Sequence, residues 1–270
     1  MLKPREILTI FLGIGTVIGC IWAGQNINLL PIAASANAPV YDELFKVLFT
    51  IGILLFVGMV GLVVYSLYKF RRKSGEEGDG LPIEGNLSLE IFWTAVPAIV
   101  VLFVGIYSYD IYDRMGGMQP LQHNMHMEAK GEASNEQFFG GIGAGPITST
   151  QSTNALPIEV TAMQFAFLFH YPQGDIISGE LHIPTGQPVE MRMESKDVIH
   201  AFWVPQFRLK QDVIPGQPTI LNFTPTKAGN FPIVCAELCG PYHGGMRSNV
   251  IVDEQEDFDI WLKENSKETI

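Results

Sequence analysis

A twelve-residue segment near the C-terminus concentrates side chains that bind soft metal ions. Residues 235–246 read CAELCGPYHGGM and contain two thiols, Cys235 and Cys239, the imidazole of His243 and the thioether of Met246. Thioether sulfur in particular suits copper rather than zinc or magnesium. The residue types and their spacing therefore predict copper chemistry in this segment.

The donor set exceeds what one copper ion uses. A single blue-copper site takes one Cys, two His and a weak axial Met, so a second imidazole is needed, and His200 lies in a strand-like run with apolar neighbours. Two copper ions bridged by both thiolates is the arrangement that uses the extra sulfur. A Cys235–Cys239 disulfide or a zinc site are the competing interpretations, but the disulfide leaves His243 and Met246 unexplained.

The elements around these residues have the pattern of short strands. Runs rich in β-branched and aromatic residues, separated by Pro and Gly turns, predict an antiparallel sandwich or barrel over residues 156–252. The runs are 157–171, 179–184, 187–194, 198–207, 217–224, 230–235 and 247–252. The acidic tail 253–270 is expected to be helical, with Phe258, Trp261 and Leu262 on one side.

Two long apolar stretches precede this domain. Residues 47–68 carry no charge over 22 positions, enough for a helix to cross the hydrocarbon core of about 30 Å, and residues 91–109 form a second such stretch. They predict a two-helix transmembrane hairpin over residues 44–112. The basic cluster Lys69, Arg71, Arg72 and Lys73 is expected on the cytoplasmic face, so residues 113–270 lie outside.

The N-terminal residues 1–24 allow two interpretations. Residues 7–24 are uncharged and follow Lys3 and Arg5, which fits a secretory signal or an additional membrane segment. The sequence VIGC at residues 17–20 resembles a bacterial lipobox, so a cleaved chain would carry lipid on Cys20. In the alternative, Cys20 is a buried residue of an uncleaved first helix.

Composition excludes several classes of function. The chain is 47% hydrophobic and 17% charged, with a formal net charge of −11. This charge opposes binding to nucleic acid or to an anionic lipid surface and favours a cationic partner. Residues 113–155 are rich in Gly, Ser, Thr, Asn and Gln and are expected to form a flexible linker. The Met and His residues at 115–127 could recruit copper through thioether and imidazole donors, but an exposed polar loop is the favoured interpretation, because a flexible segment fixes no ligand geometry.

The whole pattern resembles subunit II of haem-copper cytochrome c oxidases. The resemblance rests on the Cys-x-Glu-x-Cys-x-x-x-His-x-x-Met signature at 235–246, an upstream His in DVIH at 197–200, LEIFWT at 89–94 and KQDVIPG at 210–216. It implies a cupredoxin-like Greek-key sandwich after the transmembrane hairpin. It also implies a binuclear Cu-A centre with two copper ions.

The resemblance assigns a role to each residue of the signature. Cys235 and Cys239 bridge the copper ions, His200, His243 and Met246 complete the ligation, and Glu237 contributes its backbone carbonyl. The Glu237 side chain is expected on a magnesium ion at the boundary with subunit I. Glu90 corresponds to a carboxylate at a proton path into subunit I, or alternatively is an interfacial charge that reaches water.

The function implied is electron delivery. Such a subunit accepts electrons from a soluble donor, with a small c-type cytochrome as the best expectation, and passes them to the haem centres of subunit I. There O₂ reduction is coupled to proton translocation. Subunits I and III, membrane lipid and the donor are the expected partners. The expected location is a bacterial cell membrane or another energy-transducing membrane, with the copper domain on the outer, periplasmic side.

One position departs from the family pattern. Subunit II usually carries a Trp after a Gln in its aromatic strand, where electrons from the donor arrive, whereas this chain has Phe165 after Gln164. Phe165 is nevertheless the expected site of electron input. Acidic residues in the flanking segments are expected to attract a basic donor, or alternatively are ordinary solvated loop charges. They are Asp175, Glu180, Glu194 and Asp197.

Two other functions compete with electron delivery. A quinol-oxidase-type subunit II has the same architecture without the copper ligands, and the full ligand set here argues against it. A membrane-anchored copper chaperone also uses a Cys-x-x-x-Cys and a distant His, but lacks a His four residues after the second Cys.

Overall fold

The computed structural model describes residues 3–72, 74–75, 78, 85–115, 139–140 and 155–267. The chain divides into two compact units. The first consists of Met1–Leu30 and Asp42–Tyr109, and the second of Pro31–Tyr41 and Asp110–Ile270. The linker prediction for 113–155 and its Met and His loop fall mostly outside the described residues.

Three long helices make up most of the first unit. They are α1 (Pro4–Asn26), α2 (Ala38–Lys69) and α3 (Leu87–Arg114), and each is long and apolar enough to cross a membrane. They contain the predicted spans 47–68 and 91–109 and extend each by at least a turn. The third candidate is the N-terminal stretch, in which Cys20 lies buried within an unbroken α1.

Helices α1 and α2 approach closely at one glycine. A Cβ built on Gly24 would overlap the Thr50 hydroxyl oxygen, and the Gln25 side-chain amide lies 3.3 Å from the same hydroxyl. Small residues at such crossings let helix backbones approach and pack. Gly24 is therefore required for this contact as the structure has it.

The second unit is a sandwich of two β-sheets. One sheet has the strand order β1-β9-β6-β2-β3-β4 and the other β5-β11-β10-β7-β8. The strands are β1 (Phe139–Gly140), β2 (Leu156–Met163), β3 (Ala166–Tyr171), β4 (Ile176–Ser178), β5 (Leu181–Pro184), β6 (Val189–Ser195), β7 (His200–Val204), β8 (Leu209–Val213), β9 (Thr219–Phe223), β10 (Gly229–Cys235) and β11 (Arg247–Asp253).

The core lies between the sheets. Alternate residues of β2 are buried, which places one face of the strand inward, as the period of two in a strand requires. Phe202 of the second sheet meets Phe167 and Phe169 of the first edge-on, with ring centroids 6.0 and 6.5 Å away. These aromatic contacts join the two sheets beneath the predicted ligands.

The expected sandwich is confirmed, but three details of the strand prediction were wrong. The run 157–171 is two strands, because the chain turns at Gln164 and Phe165. The run 198–207 ends at Val204, where Pro205 begins a short 3₁₀ helix. The expectation of purely antiparallel pairing fails, since β2 pairs with β6 and β5 with β11 in parallel. Strand direction depends on crossovers between sheets, which residue periodicity does not reveal.

A short connection between α1 and α2 belongs to the sandwich. The Ala34 amide donates to the Gln206 carbonyl at 2.9 Å, and the Thr226 amide donates to the Ala34 carbonyl at 2.9 Å. The Ser35 hydroxyl donates to the Phe207 carbonyl, and both Ala34 and Ser35 are buried. No domain was predicted for this segment, because small residues near Pro have no strand or helix period.

The acidic tail forms the predicted helix, α4 (Gln255–Asn265). Phe258 is buried, and Trp261 and Leu262 pack against the core. The Trp261 ring stacks on His182 with centroids 4.2 Å apart and meets Tyr171 at 5.0 Å. The apolar face of α4 therefore closes one side of the sandwich.

Candidate metal centre

The predicted ligands lie at neighbouring strand ends. Cys235 ends β10 and Met246 immediately precedes β11, so one loop between paired strands carries most of the set. A hydrogen bond from the Cys235 amide to the Met246 carbonyl, 3.1 Å, closes this loop at its base. His200 begins β7, and the Ala236 amide donates to the Ala201 carbonyl at 3.1 Å, which fastens the loop to that strand.

The donor atoms converge. The Cys235 and Cys239 sulfurs are 3.9 Å apart, with His200 Nδ1 3.9 Å from the first sulfur and His243 Nδ1 3.6 Å from the second. Met246 Sδ lies 3.7 Å from the Cys239 sulfur, whereas the backbone carbonyl of Glu237 lies 3.4 Å from the Cys235 sulfur. Both cysteines are free thiols. The structure thus brings together all six atoms that the sequence predicted.

The chemistry of this donor set fits copper. Two thiols, two imidazoles and a thioether are soft donors. His200, Cys235, Cys239 and Met246 are buried, so water has little access to the donors, while His243 is half-buried at the loop. The free thiols argue against the disulfide interpretation.

Comparison with known proteins agrees with the geometry. Residues 20–111 match the transmembrane domain of cytochrome c oxidase subunit II, and residues 175–254 match its periplasmic domain. Subunit 2 of cytochrome c oxidase from Thermostichus vulcanus is 46% identical over 97% of this chain and 86% of the relative. The Synechocystis sp. subunit 2 is 42% identical over 97% of this chain and 83% of that relative.

The chain belongs to the cytochrome c oxidase subunit II family. A solved periplasmic domain of the Bradyrhizobium japonicum subunit II is 28% identical, with a TM-score of 0.41, over 43% of this chain and 97% of that one. Electron input at Cu-A is the general role of the family. The chain is therefore a membrane-anchored part of an oxidoreductase complex with its sandwich outside, as the resemblance predicted.

Asp197 contacts His200, one of the predicted ligands. Its carboxylate lies 2.8 Å from His200 Nε2 and accepts the backbone amides of Gln164 and Val198 at 2.7 Å each. Burial raises the pKa of Asp197, but the hydrogen bonds from His200 and the two amides outweigh it and hold the pKa below its usual value. A carboxylate on the outer nitrogen of a ligating His fixes the ring orientation. Asp197 was predicted only as a docking residue, and its contact with His200 was not predicted, although the Asp-x-x-His spacing is visible in the sequence.

Gln164 and Phe165 lie against the loop of residues 235–246 that carries most of the predicted ligands, here called the ligand loop. The Gln164 side-chain amide donates to the Cys239 carbonyl at 2.6 Å. Gly240 has φ of 135°, and a Cβ there would come within 2.9 Å of the Gln164 amide nitrogen and 3.2 Å of the Phe165 ring. Only glycine suits this position. The structure therefore puts Phe165, the expected site of electron input, directly beside the loop.

Without metal, the Cys239 thiol holds its proton at neutral pH. Burial, followed by the neighbouring Cys235 thiol, raises the pKa of Cys239 to about 11. Cysteine binds metal as thiolate, so metal uptake must displace this proton.

Glu237 has two separate contacts. Its backbone carbonyl faces the Cys235 sulfur, whereas its carboxylate lies 2.9 Å from the Lys210 ammonium. The Lys210 ammonium also lies 3.3 Å from the Asp212 carboxylate. The pKa of Lys210 is raised, chiefly by its hydrogen bond to Glu237. This surface cluster was not predicted.

The other candidate residues do not form one site. Glu194 pairs with Lys196 at 2.7 Å, and Glu180 accepts from Asn249 at 2.9 Å. Asp175 follows Tyr171, at the end of β3 opposite Phe165, and pairs with Lys267 at 2.7 Å. Glu90 lies in the first turn of α3, where it lines a shallow groove with Ile91, Thr94, Ala95 and Ala98.

Proposed function

We propose that this chain accepts single electrons from a small soluble donor at a binuclear Cu-A centre and passes them to the haem centres of subunit I. The supporting observation is the pair of unlinked sulfurs, 3.9 Å apart, with an imidazole nitrogen beside each. A copper pair bound there would accept one electron at a time from the soluble donor and give it up to subunit I. O₂ reduction and proton translocation then take place in subunit I, with subunit III as a further partner.

The residues of the chain have distinct tasks at this centre. The two thiolates, Cys235 and Cys239, would be shared between the two copper ions, His200, His243 and Met246 would complete their ligation, and the Glu237 carbonyl would supply an oxygen. Burial keeps water from the donors. Because these ligands sit at paired strand ends and short loops, they change position little when the charge of the centre changes.

The electron donor is a basic protein, with a c-type cytochrome as the best candidate. From Asp113 onward the chain has 10 basic and 19 acidic residues, so long-range attraction raises association rates by roughly 10 to 1,000 fold at low salt. Glu194 and Asp197 flank the turn at Gln164 and Phe165, here called the aromatic turn, and their charges attract the donor at short range. Glu180 and Asp175 add to the negative electrostatic field around the sandwich. Asp175 contributes least, because it pairs with Lys267 and lies at the far end of its strand, and salt screens charges beyond about 10 Å.

Two further carboxylates face subunit I in this proposal. A magnesium ion at that boundary takes oxygen ligands and would replace Lys210 as the partner of the Glu237 carboxylate. Glu90 lies at the start of a proton path into subunit I. In the complete oxidase, Glu90→Gln is expected to slow proton uptake and leave copper absorption unchanged, and an unaltered uptake rate identifies Glu90 as an interfacial charge.

The chain spans a bacterial cell membrane with its sandwich on the periplasmic side. Lys69, Arg71 and Arg72 at the end of α2 support a cytoplasmic α2–α3 connection. The connection between α1 and α2 hydrogen-bonds to the sandwich, which supports the same side for both. Cysteine introduced at Ser74 is expected to resist an impermeant reagent in intact cells, whereas cysteine at the exposed Ile177 reacts. Labelling of both positions contradicts this topology.

Two fates of the N-terminus remain alternatives, cleavage with lipid on Cys20 or retention of α1. The Cys20 side chain is buried within α1, and Gly24 packs on Thr50. The mass of the purified chain separates the two, because cleavage removes residues 1–19 and adds lipid.

Rapid mixing tests the proposed function. The full chain is the right sample, because residues 31–41 form part of the sandwich unit. We expect the copper-loaded chain to oxidise a reduced basic c-type cytochrome, with loss of the visible absorption of the copper pair. Chain prepared without copper is the control. A copper-loaded chain that takes no electrons from the cytochrome, or that binds only colourless Cu(I), overturns the proposal.

A further inference from the structure

Two aromatic rings meet at the surface of the ligand loop, Tyr242 on the loop itself and Phe165 beside it. Tyr242 is 71% exposed, whereas Phe165 is half-buried and packs against the core. Their ring centroids are 5.4 Å apart and the ring planes meet at 78°. This edge-on contact is a favourable geometry for aromatic pairs. Tyr242 is therefore the outer ring and Phe165 the inner one.

Both rings have short connections to the ligands. Tyr242 directly precedes His243, whose Nδ1 lies 3.6 Å from the Cys239 sulfur. Phe165 follows Gln164, and the Gln164 side chain donates to the Cys239 carbonyl. A partner that touches the Tyr242 ring is thus one residue away from a ligand.

The surroundings of Tyr242 suit a basic redox protein. Leu238, four residues earlier on the same loop, is 83% exposed, so the loop presents a second large apolar side chain to solvent. The Asp197 carboxylate accepts the Gln164 amide, which puts negative charge next to the aromatic turn. Tyrosine combines a large apolar ring with a polar end and is enriched where interfaces bind tightly.

A second exposed aromatic residue of the sandwich suits such a donor less well. Trp203 of β7 is 38% exposed, and its register neighbour on β8 is Lys210. A lysine beside the ring repels a basic partner, even though the Lys210 charge is shared with Glu237. Trp203 therefore serves as the matched control.

We propose that Tyr242 is the residue that a basic, haem-bearing donor contacts and through which its electron reaches the metal centre. This inference rests on the proposed function and supplies the exposed ring that Phe165 does not. The ferrous iron of the donor loses one electron and becomes ferric, and the metal centre gains that electron. Tyr242 itself loses neither an electron nor its phenol proton.

The test combines a binding and a kinetic measurement on the full chain in detergent. Calorimetric titration of the metal-free chain with a basic c-type cytochrome at low ionic strength gives the affinity without any metal. We expect Tyr242→Ala to weaken binding roughly 5 to 30 fold, as truncation of an aromatic interface residue does. Tyr242→Phe keeps the ring and Trp203→Phe leaves the contact intact, so both should bind like the native chain.

The kinetic measurement uses the copper-loaded chain. Tyr242→Ala should slow reduction by the cytochrome and leave reduction by a small inorganic complex and the visible spectrum unchanged. If the spectrum changes, Tyr242→Leu, which keeps apolar packing on Phe165, replaces it. Native affinity and native reduction rates in both truncated variants overturn the inference, as does a loss confined to Trp203→Phe.

Failure of the proposed function has a different signature. In that case the native chain takes up no copper pair or is not reduced by the cytochrome, whatever residue occupies position 242. The metal-free titration still decides whether Tyr242 contacts the donor.

Discussion

The ligand loop and the membrane helices differ in how much of their side-chain surface this chain buries by itself. Around the loop, Cys235, Cys239 and Met246 are buried and held by hydrogen bonds within the sandwich. In the helices, large apolar side chains such as Leu67 and Val101 are 70% exposed. The chain by itself thus brings the donor atoms of the candidate metal centre together, whereas its helices need lipid or other oxidase subunits to cover them.

The largest expected effect follows from removal of a bridging thiol. Cys239→Ser replaces a soft donor that lies 3.9, 3.6 and 3.7 Å from three other donors, so the copper pair should be lost. Cys20→Ser in α1 is the matched control and should bind copper normally. Metal analysis of both purified chains decides. Equal copper content in the two variants would show that the ligand loop binds copper no more specifically than the helices do.

Loss of the Asp197 brace should have the next largest effect. Asp197→Ala frees the His200 ring and is expected to weaken copper affinity about 10 to 100 fold, as loss of such carboxylates does. Glu194→Ala, three residues earlier and paired with Lys196, is the control and should leave affinity unchanged. Competition with a copper chelator measures the copper affinity of both variants. Equal affinities would show that Asp197 does not orient His200 for copper binding.

Within the ligand loop, two glycines should respond differently to alanine. Gly240→Ala meets Gln164 and Phe165 and requires a φ of 135°, so it should cost about 1–3 kcal/mol of stability. Gly244→Ala meets nothing within 4 Å and should cost less than about 1 kcal/mol. Chemical unfolding of the metal-free chains provides the comparison. Equal costs would show that the loop relaxes around Gly240.

The smallest expected effect lies away from the loop. The hydrogen bond to Glu159, opposed by burial and aided by Asp175, raises the pKa of His170 above 6.5. Because the folded-state pKa exceeds the unfolded one, this stabilisation is present below about pH 6.5 and is lost as pH rises through the raised pKa. Thermal unfolding should show a small decline over that range, since His170 is 33% exposed. His170→Gln should flatten it without altering copper absorption, and an unchanged decline would exclude His170 as its source.

The sequence predicted copper donors because two thiols, an imidazole and a thioether fall within twelve residues and are chemically distinctive. The Glu237 carbonyl was expected only from the family resemblance. The long apolar stretches and short alternating strands likewise predicted the fold class. The contacts made by Asp197 and Tyr242 were not predicted, because each depends on how two loops approach in space. The packing of residues 31–41 on the sandwich was missed for the same reason, since its hydrogen bonds reach residues far along the chain.

If the paired thiols of Cys235 and Cys239 hold a binuclear centre, two copper ions share one site in this chain. Electron paramagnetic resonance of the copper-loaded full chain, with metal and protein quantified on the same sample, distinguishes this from a single-copper site. We expect two coppers per chain and one unpaired electron with hyperfine coupling to both nuclei. One copper per chain with a single-copper hyperfine pattern would contradict it.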